Sequence, residues 1–248
     1  MARSILFSFA HPDDESFSGA GLAGWCLERG IAVTLVCATR GEAGKAGDPA
    51  VSGAPADLGR AREAELREAA RIIGITHLHV LDYRDRELTN APPAGIRGQL
   101  VALIRRYRPD VVLTFDANGF NAHPDHVAIS RFTTDALAAA ADPRWLPEAG
   151  AAHAVQRLIW TPPVPPWEAV NNDDLPSEPG IDFLIDITRW RDRKAAALRA
   201  HRTQHLSIDR HFLNKPNLDA ILSIEVYRQA WGPPLEVRPL GDVFHGIT

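Results

Sequence analysis

Two short polar motifs carry the residues of this 248-residue chain that could do chemistry. The first runs from His11 to Glu15 and reads HPDDE, and the second runs from His123 to His126 and reads HPDH. The first motif places one imidazole and three carboxylates in five consecutive residues. So many negative charges in one short segment are unfavourable unless a positive charge lies among them, and a divalent metal ion is its simplest source.

The two motifs together contain a ligand set that is typical of catalytic metal sites. His11 and Asp14 are three residues apart on a turn, so both side chains can converge on one point, and His126 can reach it from the second motif. Two histidines and one carboxylate leave a coordination position for water. Spacing alone does not distinguish Asp13 from Asp14 as the carboxylate ligand. We expect zinc, with iron(II) as the alternative that the same set suits.

The apolar pattern around each motif predicts a strand before it and a helix after it. Ser4 to Ala10 and Val111 to Phe115 read as buried strands, while Ser16 to Glu28 and Val127 to Ala140 read as helices. With a strand order of 3-2-1-4, the two motifs would be neighbours at the carboxyl edge of the sheet. Open α/β sheets bind their ligands at this edge.

The remaining pattern predicts an α/β fold, Rossmann-like, with a mostly parallel sheet and helices on both faces. We expect one domain, 1–248, since α/β folds of this length commonly remain undivided. Two segments, 43–57 and 161–180, have no helical or strand period and are predicted to be long loops. The other predicted strands are Ile31–Thr39, Leu78–Leu81, Leu158–Trp160, Phe183–Ile187 and Ile221–Tyr227.

Composition excludes several classes of partner. The balance of 27 Lys and Arg against 31 Asp and Glu gives a formal charge of −4, too small to favour a nucleic-acid or membrane surface. No stretch approaches the roughly 20 apolar residues of a membrane span. Two cysteines, Cys26 and Cys37, make a disulfide framework implausible. We therefore expect a cytoplasmic protein with a small-molecule partner, and we leave open whether it forms a homo-oligomer.

With both motifs in view, the sequence resembles the PIG-L/LmbE-like family of zinc-dependent N-acetylglucosaminyl deacetylases, which includes deacetylases and amidases of mycothiol and bacillithiol metabolism. The resemblance covers the first strand to at least the fourth helix. It returns in the late segment from Lys194 to Gln204, KAAALRAHRTQ. It implies the LmbE-like version of the predicted fold.

The resemblance also implies roles for residues of both motifs. His11, Asp14 and His126 match the metal ligands, and Asp13 matches the general base that takes a proton from water. His123 matches the group that faces the developing oxyanion or the leaving amine, and a protonated imidazole would stabilise negative charge there. Asp125 is considered as the partner that orients His123, although it could equally be only a helix cap.

Three further positions match substrate-binding sites of relatives. Arg62 and Asp85 correspond to residues that bind sugar hydroxyls, which suits an arginine with several donors and a carboxylate with two acceptors. Asn121 stands where the mycothiol-pathway deacetylases have a tyrosine that helps to polarise the substrate carbonyl. Asparagine can still donate a hydrogen bond but cannot act as an acid. Six histidines outside the motifs and the late segment are expected to be ordinary surface or core residues: His77, His79, His153, His205, His211 and His245.

We therefore expect a metal-dependent hydrolase that removes an N-acetyl group from an N-acetylglucosamine-type amino sugar or its conjugate, acting on a linear amide bond. The near alternative is an amidase that cleaves a larger N-acyl group or a thiol conjugate. The distant one is a non-catalytic metal-binding protein on the same fold. A dinucleotide oxidoreductase is set aside because its glycine-rich turn would have to occupy the place of the HPDDE motif.

Overall fold

The computed structural model describes residues 3–161, 164–169, 171, 174–177 and 180–248. Across these ranges the chain forms seven strands and eleven α-helices, most of the shorter α-helices being single turns. The strands are β1 (Ser4–Phe9), β2 (Ala32–Thr39), β3 (His77–Tyr83), β4 (Val111–Phe115), β5 (Arg157–Thr161), β6 (Phe183–Asp186) and β7 (Ile224–Trp231). The helices are α1 (Asp14–Ser18), α2 (Ala20–Glu28), α3 (Pro49–Ser52), α4 (Leu58–Ile73), α5 (Pro93–Tyr107), α6 (Gly119–Ala122), α7 (Pro124–Ala141), α8 (Pro166–Ala169), α9 (Arg191–Ala200), α10 (His205–Ile208) and α11 (Leu218–Ile221).

The strands form one sheet in the order β3-β2-β1-β4-β5-β7-β6, so the predicted order 3-2-1-4 is confirmed. β1 pairs in parallel with both β2 and β4, and Phe7 lies opposite Leu35 on one side and Leu113 on the other. β7 alone runs antiparallel to its neighbours β5 and β6. The carboxyl ends of β1 and β4 therefore lie side by side, at the point where the chain reverses its direction across the sheet.

The helices cover both faces of the sheet, as predicted. α4 and α2 pack against α9, while α5 packs against α7. Right-handed crossovers explain this division: the chain moves outward from β1 through β2 to β3, then returns across β1 to β4, which places the later helices on the opposite face. Both faces of the central strands are thus buried, which accounts for their unbroken apolar runs.

The helix predicted over Ser16 to Glu28 is divided into α1 and α2 at Gly19. A Cβ atom at this position would lie 2.8 Å from the ring of Phe7, so only glycine lets the chain pass this close to β1. The short helix α1 therefore begins at Asp14 and carries the acidic residues of the first motif in its opening turn.

Both predicted loops contain short helical turns. Segment 43–57 includes α3, and segment 161–180 includes α8 and a 3₁₀ turn at Leu175–Ser177. Within the second loop, positions 162–163, 170, 172–173 and 178–179 lie outside the described residues. The single domain spanning 1–248 stays a prediction. None of the helices in the described ranges is long and apolar enough to cross a membrane.

Candidate active site

The turns after β1 and β4 bring the three predicted metal ligands together. Nδ1 of His11 lies 3.1 Å from Nε2 of His126, and Oδ1 of Asp14 lies 3.4 Å from the same Nε2. Oδ2 of Asp14 is 3.7 Å from Nδ1 of His11. Ligand atoms bound at about 2.0–2.1 Å around a tetrahedral zinc ion are roughly 3.3 Å apart. The three side chains therefore lie close enough to share one ion, with the two Asp14 distances measured from different carboxylate oxygens.

The second nitrogen of each histidine has a partner that fixes the ring. Nε2 of His11 lies 3.2 Å from both Asp85 Oδ1 and Asp125 Oδ2, and Nδ1 of His126 donates to the carbonyl of Gly119 at 3.1 Å. Metal-binding histidines are usually oriented in this way, by an outer carboxylate or a backbone carbonyl. The nitrogens left for a metal are Nδ1 of His11 and Nε2 of His126.

The carboxylate of Asp14 is also held in place. Its Oδ2 accepts hydrogen bonds from the backbone N–H groups of Ala10 and His11, at 3.1 and 2.8 Å. The ring of His126 stacks on Phe115, with centroids 3.9 Å apart. Backbone and core thus preorganise the ligand set, which reduces the cost of ordering it when an ion binds.

The electrostatics of the cluster favour a positive charge. Burial lowers the pKa of His11, but Asp125, Asp85 and Asp14 outweigh this effect and raise it to about 10. Burial raises the pKa of Asp14, yet His126 and His11 lower it to about 2. Without an ion, the ring of His11 is therefore protonated and positively charged, at the centre of several carboxylates. A divalent cation would replace this proton and compensate the same charges.

Asp13 lies beside the ligands in a backbone conformation that is rare for residues other than glycine. Its φ is 111°, and its side chain, 16% exposed, lies at the wall of a cavity. Arg62 donates to Asp13 Oδ2 at 3.4 Å and to the carbonyl of Pro12 at 2.6 Å. Burial raises the pKa of Asp13 to about 6, assisted by Asp14 and opposed by Arg62. Such a pKa suits a general base that works near neutral pH.

His123 stands next to the ligands as a half-buried hydrogen-bond donor. One of its ring nitrogens lies within 4.8 Å of ring nitrogens of His11 and His126. Nδ1 accepts a hydrogen bond from the backbone N–H of Asp125 at 3.2 Å, which assigns the proton of the neutral ring to Nε2. Burial and the two other histidines lower the pKa of His123, so the neutral form is favoured over the protonated form that we expected.

Among the described residues the carboxylate of Asp125 makes no hydrogen bond to His123, so of the two roles considered for Asp125, the pairing of these side chains is wrong. Its Oδ2 lies 3.2 Å from His11 Nε2, and it also accepts the backbone N–H groups of Arg86 and Leu88 at 2.6 and 3.1 Å. Because α7 begins at Pro124, the side chain of Asp125 points back toward the preceding turn. Asp125 therefore orients His11, one of the predicted metal ligands, and anchors the loop after β3.

The two residues predicted to bind sugar hydroxyls are buried behind the first motif. Arg62, 5% exposed at its side chain, also donates to the carbonyl of Gly41, and its Nε has no partner among the described residues. A Cβ atom at Gly41, which has a φ of 64°, would clash with the guanidinium. Asp85 contacts His11 and accepts the N–H of Ala43 at 3.0 Å. The buried Nε of Arg62 is thus an unsatisfied donor, and neither Arg62 nor Asp85 is among the residues that line the cavity beside Asp13.

The ligands open into a cavity of about 290 Å³, near the lower end of the range for small-molecule sites. Asn121 lies in its wall and accepts the backbone N–H of His123 at 3.1 Å through Oδ1, and its amide nitrogen has no partner in the part of the chain that the structure describes. Ser18 also lines the cavity, together with four aromatic side chains and two further polar ones. They are Phe17, Phe115, Phe120, Trp167, Ser207 and His211.

Several of these wall residues were not anticipated. His211, expected to be an ordinary histidine, packs against Trp167 in the cavity wall with ring centroids 4.4 Å apart, and Ser207 precedes it on the same helical segment. This segment continues from α10 into a π-helical turn, Asp209–Leu213. π-Helical turns are frequent at functional sites, but no sequence pattern identified this one.

Comparison with known proteins agrees with this geometry. The model of the family described as PIG-L, GlcNAc-PI de-N-acetylase, matches residues 6–137. The 1D-myo-inositol 2-acetamido-2-deoxy-alpha-D-glucopyranoside deacetylase of Streptomyces avermitilis is 32% identical over 293 aligned positions, covering 99% of this chain and 98% of the relative.

Solved structures share the fold at lower identity. The N,N'-diacetylchitobiose deacetylase of Pyrococcus horikoshii matches with a TM-score of 0.69 at 22% identity, over 92% of this chain and 84% of its own. The 4-carboxy-2-hydroxymuconate hydratase GalB of Pseudomonas putida matches with a TM-score of 0.66 at 20% identity, over 95% and 99%. The same fold therefore carries more than one reaction, and the reaction must be inferred from the site.

Proposed function

Because this chain belongs to the PIG-L family of GlcNAc-PI de-N-acetylases, we propose that it is a hydrolase that removes the N-acetyl group from an N-acetylglucosamine-type amino sugar or its conjugate. The observation that carries the proposal is the convergence of His11, Asp14 and His126 on one point, with Asp13 beside them in the wall of a cavity. The named activities of the relatives support the amide bond as the target.

We propose zinc as the resident ion, held by His11, Asp14 and His126, with iron(II) as the alternative. Two imidazoles and one carboxylate at these separations suit a catalytic site with an open position. When bound, the ion would polarise the amide carbonyl and make a water molecule more acidic. Asp85 and Asp125 would keep the ring of His11 turned toward the ion.

The remaining groups would move protons and stabilise charge. Asp13 would accept a proton from the attacking water as the new C–O bond forms at the amide carbon. Asp13 would then return this proton to the amine as the C–N bond breaks, so that acetate and a free amino sugar leave. His123, neutral with its proton on Nε2, would donate a hydrogen bond to the developing oxyanion, and the amide nitrogen of Asn121 could donate a second.

For substrate recognition we propose Arg62, Asp85 and Asn121. The unpartnered Nε of Arg62 supports a role in donating a hydrogen bond to a sugar hydroxyl. The carboxylate of Asp85 would accept a hydrogen bond from a hydroxyl at the same end of the substrate. We further propose a cytoplasmic enzyme that needs a small-molecule amino sugar and neither nucleic acid nor membrane. The buried, unpaired thiols of Cys26 and Cys37 fit a reducing compartment.

Replacement of Arg62 by alanine is expected to lower kcat/KM for amino-sugar substrates by roughly 10- to 150-fold. Each lost charge-assisted hydrogen bond corresponds to about 1.5–3 kcal/mol. Metal content should stay unchanged, because Arg62 does not contact a ligand side chain. The matched control is Arg60→Ala on the same helix, whose side chain is 89% exposed and which should behave like the wild type. Equal kinetics for both variants would mean that Arg62 has no role in binding.

The proposed function is tested by the acyl groups that the purified protein removes. Glucosaminyl-inositol acylated at nitrogen with acetyl, butyryl or a cysteinyl group serves as the substrate series, and the free amine is quantified. We expect the acetyl compound to react fastest. Faster release of a larger acyl group would instead identify an amidase. Full metal content without turnover of any compound would identify a metal-binding protein.

A further inference from the structure

Glu15, the last residue of the first motif, has no part in the proposed chemistry, yet its side chain is almost completely buried, at 1% exposure. Its Oε2 accepts the backbone N–H of Asp13 at 3.1 Å, and its Oε1 accepts the hydroxyl of Ser16 at 2.5 Å. A buried carboxylate needs such partners, because an uncompensated charge in the interior is costly. Glu15 therefore ties the backbone of Asp13 to the start of α1.

The charge partner of Glu15 comes from the far end of the chain. Nε2 of His201, at the end of α9, lies 2.7 Å from Glu15 Oε1, and each of the two side chains is at most 1% exposed. Burial lowers the pKa of His201, but Glu15, Asp13 and Glu65 outweigh it and raise the pKa. His201 belongs to the late segment that the sequence resemblance singled out. The proposed chemistry does not otherwise use that segment.

The backbone of Asp13 explains why such a pair would be needed. A φ of 111° is unfavourable for a non-glycine residue, and it persists only when the surroundings enforce it. Two contacts act on this residue: Glu15 holds its N–H, and Arg62 holds its carboxylate at 3.4 Å. Relaxation of the turn would rotate the Asp13 side chain relative to the neighbouring ligands.

We propose that Glu15 and His201 form a buried pair of positioning residues, which hold the turn of Asp13 in its strained conformation and so aim the Asp13 carboxylate at the reacting water. The pair touches neither the ligand side chains nor the cavity. The pair links the end of α9 to the first motif. This inference rests on the proposed role of Asp13 as the general base.

The test compares two replacements of His201 that differ by one methylene group. In His201→Gln the amide nitrogen can reach the place of Nε2 and donate to Glu15, whereas in His201→Asn it is too short. We expect His201→Asn to lower kcat by about 10- to 100-fold, since small misplacements of a catalytic group have effects of this size. KM and metal content should stay within about twofold, and His201→Gln should recover most of the loss.

A double-mutant cycle separates positioning from a general loss of structure. In the background of Asp13→Asn there is no base to aim, so His201→Asn should cause little further loss of kcat. Thr203→Val serves as the control, because it removes the nearby bond to Glu65 Oε2 without touching Glu15. Its kcat should equal that of the wild type.

Three results would overturn the proposal. They are a wild-type kcat in His201→Asn, an equal fall of kcat in both backgrounds, and a loss of activity that parallels loss of metal. Failure of the proposed function itself looks different, because the wild type would then release no acetate in the same assay. If the wild type releases acetate and both His201→Asn and His201→Gln have the kcat of the wild type, only the positioning role is contradicted.

Discussion

Replacement of Asp13 by asparagine is expected to lower kcat for deacetylation by about 10²- to 10⁴-fold while one metal ion per chain is retained. The change keeps the size of the side chain and removes the carboxylate that we propose as the base. Asp13 is held by Arg62 and Glu15 and is not one of the three side chains proposed to bind the metal. The variant should therefore keep its metal. Metal analysis and acetate release, measured on the same sample, check both expectations.

Two comparisons make this result specific. Asp14→Asn should lose metal as well as activity, because Asp14 lies 3.4 Å from His126 and 3.7 Å from His11 at the point of convergence. Asp192→Asn removes a carboxylate from a fully exposed side chain and should leave both quantities unchanged. The reverse pattern, with metal lost in Asp13→Asn and kept in Asp14→Asn, would exchange the roles of the two residues.

Replacement of His126 by alanine is expected to abolish tight metal binding and to reduce deacetylation to the background rate. His126 supplies one of the two imidazoles of the proposed ligand set, and its ring is held in place by the carbonyl of Gly119 and the ring of Phe115. Loss of one ligand from a set of three leaves too few donors for a tightly held ion.

A matched histidine outside the site controls for nonspecific effects. The exposed His245 lies near the end of the chain, and His245→Ala should keep full metal content and activity. His123→Ala should also keep its metal while losing kcat, since His123 is proposed to stabilise charge. Retention of one tightly bound ion in His126→Ala would show that a different ligand set holds it.

The central part of the fold was accessible from sequence because the rules that govern it are local. Apolar runs such as Val111 to Phe115 end at polar motifs, and this alternation supported a Rossmann-like order of 3-2-1-4, which the structure has. The HPDDE and HPDH turns then had to meet at one edge. The structure brings His11, Asp14 and His126 together as that pattern required.

The contacts that support the site were not accessible, because they depend on close packing between distant segments. Asp125 was paired with His123 two residues away, whereas its carboxylate in fact contacts His11 in the other motif. The partner of Glu15 is His201, 186 residues further along the chain. No periodicity or spacing signals such a contact.

Residues of the cavity wall were missed for a similar reason. Trp167 and His211 belong to segments without a regular period, and they approach the site only through the path of the chain after β5 and after α9. The helix break at Gly19 also reflects a tertiary contact, the ring of Phe7 against the backbone. Tertiary packing overrides local propensity in each case.

The most direct test of a metal-dependent deacetylase is a titration of the metal-free protein with zinc, in which bound metal and released acetate are measured in the same samples. N-acetylglucosaminyl-inositol serves as the substrate. We expect acetate release to rise in proportion to bound zinc and to level off at about one equivalent per chain, as a single site formed by His11, Asp14 and His126 requires. Acetate release that is independent of bound zinc and iron, or no acetate release from the fully loaded protein, would contradict the account.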